Sequence, residues 1–224
     1  DGSNVSGFQR TMLIATDGYI ETSKGKVSIM TICLEEESAK KLKADEHEVT
    51  YKLDRLGVPL IEVATGPDLK DPEHAKEAAG IIGMILRSTG KAKRGIGSIR
   101  QDVNVSIKGT KRVELKGFQD LKFIPKVIEG EVQRQLELIE QKKEVVNEVR
   151  KVNPDFTTKF LRPMPGSARM YPETDCPTIK ITKELIDSIE IPELITERAI
   201  SFEQKYGLQV NHAREIIQKN IPFD

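Results

Sequence analysis

The sequence predicts an α+β protein, with antiparallel sheets and packed helices over residues 1–178 and the start of a small all-α domain over residues 179–224. Three observations support this fold class. Short β-prone runs dominate residues 1–60, an amphipathic helix follows at residues 72–88, and short helical stretches bounded by Pro and Gly end the chain. Strand-rich and helix-rich regions are therefore segregated along the sequence.

The composition is that of a folded, soluble chain. Of the 224 residues, 38% are hydrophobic and 31% charged, which is outside the range typical of disorder. Lys plus Arg and Asp plus Glu number 35 each, so any contact with nucleic acid must come from local clusters of charge. Cys33 and Cys176 form no CxxC pair, and we expect both to be small buried hydrophobic residues in a reducing compartment. No apolar run reaches transmembrane length, so we expect a cytoplasmic protein.

The first part of the chain is predicted to form an antiparallel meander. Its β-prone runs, MLIAT, YIET and KVSIMTICL, are separated by the turn signals Asp17-Gly18 and Lys24-Gly25-Lys26. After Glu35-Glu36-Glu37 comes a basic stretch over residues 40–43 that is expected to be helical. An apolar run then covers residues 58–63.

Helix signals are strongest at residues 72–88. Asp71 is a suitable N-cap, a proline occupies the first helical position, apolar residues recur at three- and four-residue spacing, and Gly90 provides a stop. Three short helices are also predicted over residues 182–220, the first capped by Thr182.

A hairpin of alternating apolar and polar residues is predicted from strands at residues 98–107 and 112–118. An odd loop such as Gly109-Thr110-Lys111 aligns apolar with apolar side chains, whereas a two-residue turn does not. The expected pairs are Ile107 with Val113, Val105 with Leu115, Ser106 with Glu114 and Asn104 with Lys116. One face then carries a set of polar side chains that we call the polar plate: Arg100, Asp102, Asn104, Glu114 and Lys116.

A long amphipathic helix is predicted at residues 127–139. Its apolar stripe breaks at Lys142-Lys143 and resumes at Val145, so the chain either bends there in solvent or joins two segments. Frequent prolines from Thr157 to Pro177 predict irregular, extended backbone.

Acidic residues form the first candidate site. Glu62 lies in the apolar run PLIEV, where an ionised carboxylate is costly unless it is paired, protonated or bound to a metal ion. With the run Glu35-Glu36-Glu37 it offers the hard oxygen ligands that Mg²⁺ prefers. Two simpler interpretations stay open: the acidic run is a solvated helix start, and Glu62 points to solvent from a half-exposed strand.

The polar plate is the second candidate site. Arg and Lys bind phosphate oxygens, while Asp and Asn can hold a metal ion or a hydroxyl group. The wet face of an ordinary half-buried sheet shows the same alternation, so both interpretations stay open. The sequence has no GxxxxGK[ST] loop and no GxGxxG fingerprint, and its three scattered histidines suggest no Ser/His/Asp or Cys/His constellation.

Four segments of the sequence, in order, closely resemble one known family. They are YKLDRLGVPLIEVATGPDLKDPEHAKEAA, TGKAKRGIGSIRQDVNVSI, RVELKGFQDLKFIPKVIEGEVQRQ and FLRPMPGSARMYPETD. The family is that of the E subunits of the archaeal glutamyl-tRNA(Gln) amidotransferases, which are relatives of the bacterial B subunits. The opening DGSNVSGFQRT agrees with this resemblance, which covers most of the chain.

The resemblance implies both a fold and an activity. The fold is a cradle of antiparallel sheets with helices, followed by a helical domain that grips tRNA. The activity is that of a carbon–nitrogen ligase: with ATP and Mg²⁺ it phosphorylates the side-chain carboxylate of glutamate misacylated onto tRNA(Gln), and ammonia then displaces the phosphate. The resemblance also implies a hetero-oligomer in which an asparaginase-like partner, the D subunit, supplies the ammonia through a channel. The alternative is a non-catalytic scaffold that only binds tRNA and its partner protein.

The resemblance also implies roles for particular residues. It places Glu35 and Glu62 among the metal ligands and the polar plate around the same pocket, with Lys116 as a further catalytic candidate. The candidates for binding ATP or the aminoacyl end are Ser6, Arg100, Asp102, Asn104 and Glu114.

Compared with the family pattern, we expect three segments to be missing from this sequence. They are an opening segment that contributes a histidine to the metal site, an inserted domain related to one in bacterial aspartyl-tRNA synthetases, and a C-terminal tail domain. We expect the position of the missing insert near residues 141–145, where the helical stripe breaks, and expect this chain to be inactive alone.

Overall fold

The computed structural model describes residues 9–93, 95, 97–118, 120–164, 176–219 and 221. Backbone contacts divide the chain into two compact units, Asp1–Lys70 with Pro165–Thr178 (unit 1) and Asp71–Met164 with Ile179–Asp224 (unit 2). Antiparallel sheets and several helices are present, which confirms the α+β fold class. The expected domains, 1–178 and 179–224, stay a prediction.

Unit 1 contains a three-stranded antiparallel sheet in the order β1-β2-β5, formed by Thr11–Thr22, Gly25–Glu36 and Pro59–Thr65. The tight turn predicted around Gly25 is present, and the φ of +109° at this residue suits glycine. The turn expected at Asp17-Gly18 is wrong, because both residues lie inside β1. Asp17 instead takes a positive φ of 62° within the strand, so the turn signal marks a local irregularity.

A second antiparallel pair in unit 1 joins β3, Lys40–Ala44, to β4, Val49–Lys52. The helix expected over residues 40–43 is therefore wrong. Between the strands, the side chain of Asp45 accepts the backbone N–H groups of His47 and Glu48 at 3.0 and 2.9 Å. This local hydrogen bonding favours a reversal of the chain over continued helix.

Unit 2 contains a four-stranded sheet in the order β6-β7-β8-β9. Its strands are Val103–Val105, Val113–Lys116, Glu148–Val152 and Thr158–Pro163. Strands β7 and β8 are parallel, while the other two pairs are antiparallel. A parallel pair needs a crossover connection, and helix α2 (Ile124–Glu140) lies in it.

Two expectations for this region are corrected. The apolar stripe that resumes at Val145 does not continue the helix, because α2 ends at Glu140 and β8 begins at Glu148. The first part of the Pro-rich segment is not irregular, because Thr158–Pro163 forms the edge strand β9, a position where proline is tolerated. Residues 165–175 of that segment lie outside the described residues.

The predicted hairpin is present, but its register differs by two residues. The pairs are Val103 with Leu115, Asn104 with Glu114 and Val105 with Val113. Apolar side chains still lie opposite apolar side chains, as an odd number of loop residues requires. The predicted faces of the two strands are therefore correct, while the predicted partners are wrong. The cause is a longer connection, since residues 106–112 all lie outside the strands.

The helices of unit 2 agree with the sequence pattern. Helix α1 spans Pro72–Ser88, with Asp71 accepting the backbone N–H of His74 at 3.0 Å. The three C-terminal helices are α3 (Lys183–Asp187), α4 (Ile195–Tyr206) and α5 (Val210–Lys219). Met84 of α1 packs against the buried cluster of α4 and α5, which consists of Ile195, Ala199, Ala213 and Ile217.

A buried polar network ties α2 to the sheet of unit 2. Glu131 is 1% exposed and accepts two hydrogen bonds from Arg134, at 2.8 and 2.7 Å, and one from Gln135 at 2.8 Å. The side-chain oxygen of Gln135 accepts a hydrogen bond from the hydroxyl of Thr110 at 2.8 Å. The amide nitrogen of Gln135 also donates to the carbonyl of Val105 at 3.4 Å. The network therefore holds the hairpin that carries the polar plate.

None of the helices in the described part of the chain is long and apolar enough to cross a membrane.

Candidate functional site

The sheet of unit 1 brings Glu35 and Glu62 to the same face. In the register of β2 with β5, Cys33 lies opposite Glu62 and Glu35 lies opposite Leu60. Since side chains alternate between faces, Glu35 and Glu62 are diagonal neighbours on the face that also carries Cys33. Diagonal neighbours in an antiparallel pair are separated by about 7 Å, within the reach of long side chains.

The two acids differ in exposure. Glu35 is 8% exposed and accepts the hydroxyl of Thr11 at 3.0 Å, whereas Glu62 is exposed. The strand around Glu62 is only partly covered, since Ile61 is 54% exposed. Of the two interpretations that the sequence left open for this run, the structure therefore shows the half-exposed strand and not the buried one.

The other two acids of the triple run form ion pairs with arginines. The guanidinium of Arg10 donates two hydrogen bonds to the carboxylate of Glu36, at 2.7 and 2.9 Å. The carboxylate of Glu37 accepts a hydrogen bond from the guanidinium of Arg55 at 3.1 Å. The run is not a solvated helix start, because Glu35 and Glu36 end strand β2.

The pKa of the Cys33 thiol depends on the charges of this face. Burial raises the pKa of its thiol above the ordinary value, the negative charges of Glu62 and Glu35 raise it further, and a hydrogen bond with Thr31 acts in the opposite direction. Both carboxylates therefore lie close enough to act on one sulfur atom. The expectation that both cysteines are buried holds for Cys33, while Cys176 is exposed.

The donor atoms on this face fit a magnesium ion bound together with a phosphorylated substrate. Mg²⁺ is commonly held by one or two carboxylates, with phosphate oxygens and water completing its six ligands. Among the described residues, no three His, Cys, Asp or Glu side chains gather into a metal site. Glu35 and Glu62 would supply two carboxylates and leave the remaining positions to substrate and water.

The polar plate is formed in unit 2, around Lys116. The ammonium group of Lys116 contacts the carboxylate of Asp102 and lies 2.6 Å from that of Glu114. Asn104 lies directly opposite Glu114 in the register of β6 with β7. Four of the five predicted members are thus neighbours on one face of the sheet. Arg100 is exposed in the segment that precedes β6.

Lys116 is held as an ammonium ion. Partial burial alone would lower its pKa, but the hydrogen bonds and negative charges of Asp102 and Glu114 outweigh burial and raise the pKa above the ordinary value. At neutral pH Lys116 is therefore a fixed positive charge and not a general base.

Two lysines that the sequence pattern missed extend the polar plate. Lys116 pairs with Lys151 across β7 and β8, and Lys151 pairs with Lys159 across β8 and β9. Sequence reasoning had no signal for them, because register across a helical crossover does not follow from periodicity. Thr11, which donates a hydrogen bond to Glu35, was missed because the register of β1 with β2 does not follow from periodicity alone. Ser6 lies outside the described residues.

The chain is thus an α+β protein with two clusters of functional side chains. The sheet of unit 1 carries the carboxylates of Glu35 and Glu62 on one face, and the sheet of unit 2 carries Lys116 with its carboxylate partners. A family model described as "GatB/GatE catalytic domain" matches residues 1–187. The chain therefore belongs to the family of GatB/GatE catalytic domains.

Individual relatives agree with this assignment. The chain is 36% identical, over an alignment of 356 residues, to a protein of Methanosarcina barkeri named as the E subunit of glutamyl-tRNA(Gln) amidotransferase; the alignment covers all of this chain and 56% of the relative. Relatives of the same name from Pyrococcus abyssi and Methanocaldococcus jannaschii are 59% and 56% identical over 175 and 160 residues. These two alignments cover 78% and 71% of this chain, and 26% and 25% of the relatives.

The relatives are longer than this chain. The alignment with the Methanosarcina barkeri relative includes all of this chain but only about half the length of the relative. The alignment has 356 positions and the chain 224 residues, so the relative has residues inside the aligned region that this chain lacks. The position of the missing insert near residues 141–145 stays a prediction.

Proposed function

We propose that this chain contributes the glutamate-activating part of a tRNA-dependent amidotransferase. The proposed substrate is glutamate misacylated onto tRNA(Gln), and the product is glutaminyl-tRNA(Gln). The γ-phosphoryl group of ATP passes to the side-chain carboxylate of glutamate and ADP leaves. Ammonia then forms the C–N bond and phosphate leaves. The names of the relatives support this substrate and product.

The single observation that carries the proposal is the shared face of Glu35 and Glu62 on β2 and β5. A bound Mg²⁺ ion would neutralise negative charge on the phosphate groups. In this proposal the two carboxylates hold the ion, and the hydroxyl of Thr11 fixes the orientation of Glu35. Catalysis then depends on positioning and charge neutralisation, so no general base is needed.

Lys116 has a separate role in the proposal. Its raised pKa keeps the ammonium charged, and Asp102 and Glu114 hold it in one orientation. Although its charge is balanced by these two acids, the ammonium has three N–H donors, and the one left over suits a phosphate oxygen of ATP or the aminoacyl end of tRNA. The neighbouring Asn104 offers an amide to the same ligand, and Arg100 and Ser6 remain candidates for it.

The proposal includes a partner. The relatives are named as subunits, which supports a hetero-oligomeric complex, and in our proposal an asparaginase-like D subunit supplies ammonia through a channel. Both cysteines are free thiols, which fits the reducing cytoplasm.

Replacement of Glu62 by Gln tests the proposal. In the complete enzyme, Glu62→Gln should reduce ATP-dependent phosphorylation of Glu-tRNA(Gln) by roughly 100-fold or more, on the order of 3 kcal/mol of lost transition-state stabilisation. The affinity for tRNA should stay within about twofold, because the replaced group binds metal and not RNA. Phosphate transfer is followed with γ-labelled ATP, and tRNA affinity by filter binding.

A matched control is Glu21→Gln, which removes an exposed acid from β1 of the same sheet. This variant should phosphorylate at the wild-type rate. Normal turnover of Glu62→Gln would instead support the non-catalytic scaffold, which has no use for a metal-binding carboxylate on this face.

A further inference from the structure

Three lysines stand in one row across the sheet of unit 2. The register places Lys116 beside Lys151 and Lys151 beside Lys159, on three adjacent strands. Neighbouring strands are about 4.8 Å apart, so the row brings three ammonium-bearing side chains within about 10 Å at their backbones.

All three lysines project from the face opposite helix α2. Arg150, the residue before Lys151, lies 3.9 Å from the buried Glu131 of α2 and donates to Thr158 at 2.8 Å. Because successive side chains of a strand alternate between faces, Lys151 points away from α2. Lys159, directly opposite Lys151, shares that face.

The positive charge of this row is only partly balanced. Asp102 and Glu114 neutralise Lys116. Lys151 and Lys159 are exposed, and within the described part of the chain neither forms an ion pair or a hydrogen bond through its ammonium group. Glu148 of the same strand as Lys151 is already paired with Arg150 at 2.9 Å. Like charges directly opposite each other destabilise a sheet.

We propose that Lys151 and Lys159 bind backbone phosphates of RNA. Two unbalanced ammonium groups on a partly exposed sheet suit phosphate oxygens, and lysine binds phosphate as a point charge without reading bases. Among the strands that the structure describes, β9 is the edge of this sheet and Lys159 is exposed on it, which suits contact with a long polyanion. The inference rests on the proposed function, and the RNA is the tRNA whose aminoacyl end is bound beside Lys116.

The test compares Lys151→Gln/Lys159→Gln with Lys40→Gln/Lys52→Gln in the full chain. The control pair is also a directly opposed lysine pair, on β3 and β4, so both variants lose the same charge. The affinity for uncharged tRNA is measured from about 50 to 200 mM salt, and ATP affinity is measured in parallel. Each lost phosphate contact reduces the slope of log K against log salt by about 1.

The proposal predicts a slope reduced by about 2 in the Lys151/Lys159 variant and unchanged in the control, with ATP affinity unchanged in both. An unchanged tRNA slope in the Lys151/Lys159 variant overturns the inference, and so does a loss of ATP affinity alone, since the phosphate would then be that of the nucleotide. Absence of any tRNA binding by the wild-type protein would overturn both this inference and the proposed function, whereas an unchanged slope in the Lys151/Lys159 variant alone overturns only the inference.

Thermal unfolding distinguishes lost binding from lost folding. Removing two opposed charges should leave the unfolding temperature of the Lys151/Lys159 variant at or above that of the wild type at low salt. A marked fall in this temperature would mean that the lysines support the fold, which contradicts the proposal.

Discussion

At the scale of single residues, Lys116 shows how a neighbouring pair of acids sets the state of a functional group. Burial works against its charge, and Asp102 and Glu114 more than compensate. The cost of this arrangement is that the two carboxylates depend on the lysine for neutralisation. Both the charge state of Lys116 and the stability of the hairpin are therefore linked to pH.

We predict a pH-dependent loss of stability when Lys116 is replaced by Gln. The folded-state pKa is raised, so the stabilisation is complete below the unfolded value of about 10.5 and disappears as pH rises through the folded pKa. The unfolding free energy of the variant, from urea titrations between about pH 9 and 11.5, should approach that of the wild type at the alkaline end. Lys122→Gln, which removes an exposed partner of Asp120, is the control. If the difference in unfolding free energy between the wild type and Lys116→Gln stays constant with pH, the pKa of Lys116 is not raised in the folded state.

Cys33 provides a test of where the two acids point. Replacing Glu62 or Glu35 by Gln removes a negative charge that raises the pKa of the Cys33 thiol. We predict that alkylation of Cys33 by iodoacetamide shifts to lower pH in each variant, while burial keeps the pKa above its ordinary value. The exposed Cys176 is first changed to Ser. Identical pH profiles for wild type and both variants would mean that neither carboxylate faces Cys33.

At the scale of elements, sequence periodicity predicted which residues form strands and helices better than it predicted their partners. The caps of α1 and α3 are local, so Asp71 and Thr182 were identified correctly. The hairpin register is not local: alternation determines parity, and any shift by two residues preserves it. The parallel pairing of β7 with β8 was missed because the sequence of a strand carries no signal for a partner strand that follows an intervening helix.

The candidate site follows the same rule. The shared face of Glu35 and Glu62 agrees with the resemblance to the amidotransferase family. The exposure of Glu62 could not be decided from the sequence, because an apolar run forms a buried strand or a half-exposed one equally well. Lys151 and Lys159 could not be found from the sequence, since isolated lysines on a strand are typical of any solvent face.

The polar network of α2 should be the main attachment of the hairpin to the helix. We predict that Glu131→Ala lowers the unfolding free energy by about 3 kcal/mol, because Arg134 and Gln135 lose a buried partner. Glu129→Ala, on the exposed side of the same helix, should change it by less than about 0.5 kcal/mol. Denaturant unfolding of both variants measures the difference, and equal effects would contradict the role of the network.

At the scale of the whole molecule, residues 141–144 form an exposed connection between α2 and the buried Val145. Lys142 adopts a positive φ of 56° there. Exposed connections accept inserted segments more readily than hydrogen-bonded turns do. The longer relatives have additional residues within the aligned region, and this connection is the place where we expect them.

An insertion series tests this expectation. The last backbone hydrogen bond at the end of α2 runs from the N–H of Lys143 to the carbonyl of Leu138 at 2.8 Å. A flexible Gly/Ser segment of about 15 residues inserted just beyond it, between Lys143 and Glu144, should lower the unfolding free energy by about 1 kcal/mol or less, because loop-closure entropy grows slowly with length. The same segment inserted between Pro154 and Asp155 should cost more. That turn is closed by hydrogen bonds from Asn153 to Thr157 at 2.9 Å and from Phe156 to Asn153 at 2.9 Å. Equal costs at the two positions would argue against residues 141–145 as the natural insertion point.

The proposed activity requires that Glu35 and Glu62 bind the same divalent cation. Anomalous scattering from Mn²⁺, introduced with ATP into crystals of the complete enzyme, tests this directly. We predict one strong peak about 2 Å from a carboxylate oxygen of Glu35 and from one of Glu62, and no such peak in Glu62→Gln crystals. A peak bound by other residues, with neither Glu35 nor Glu62 among its ligands, would contradict the account.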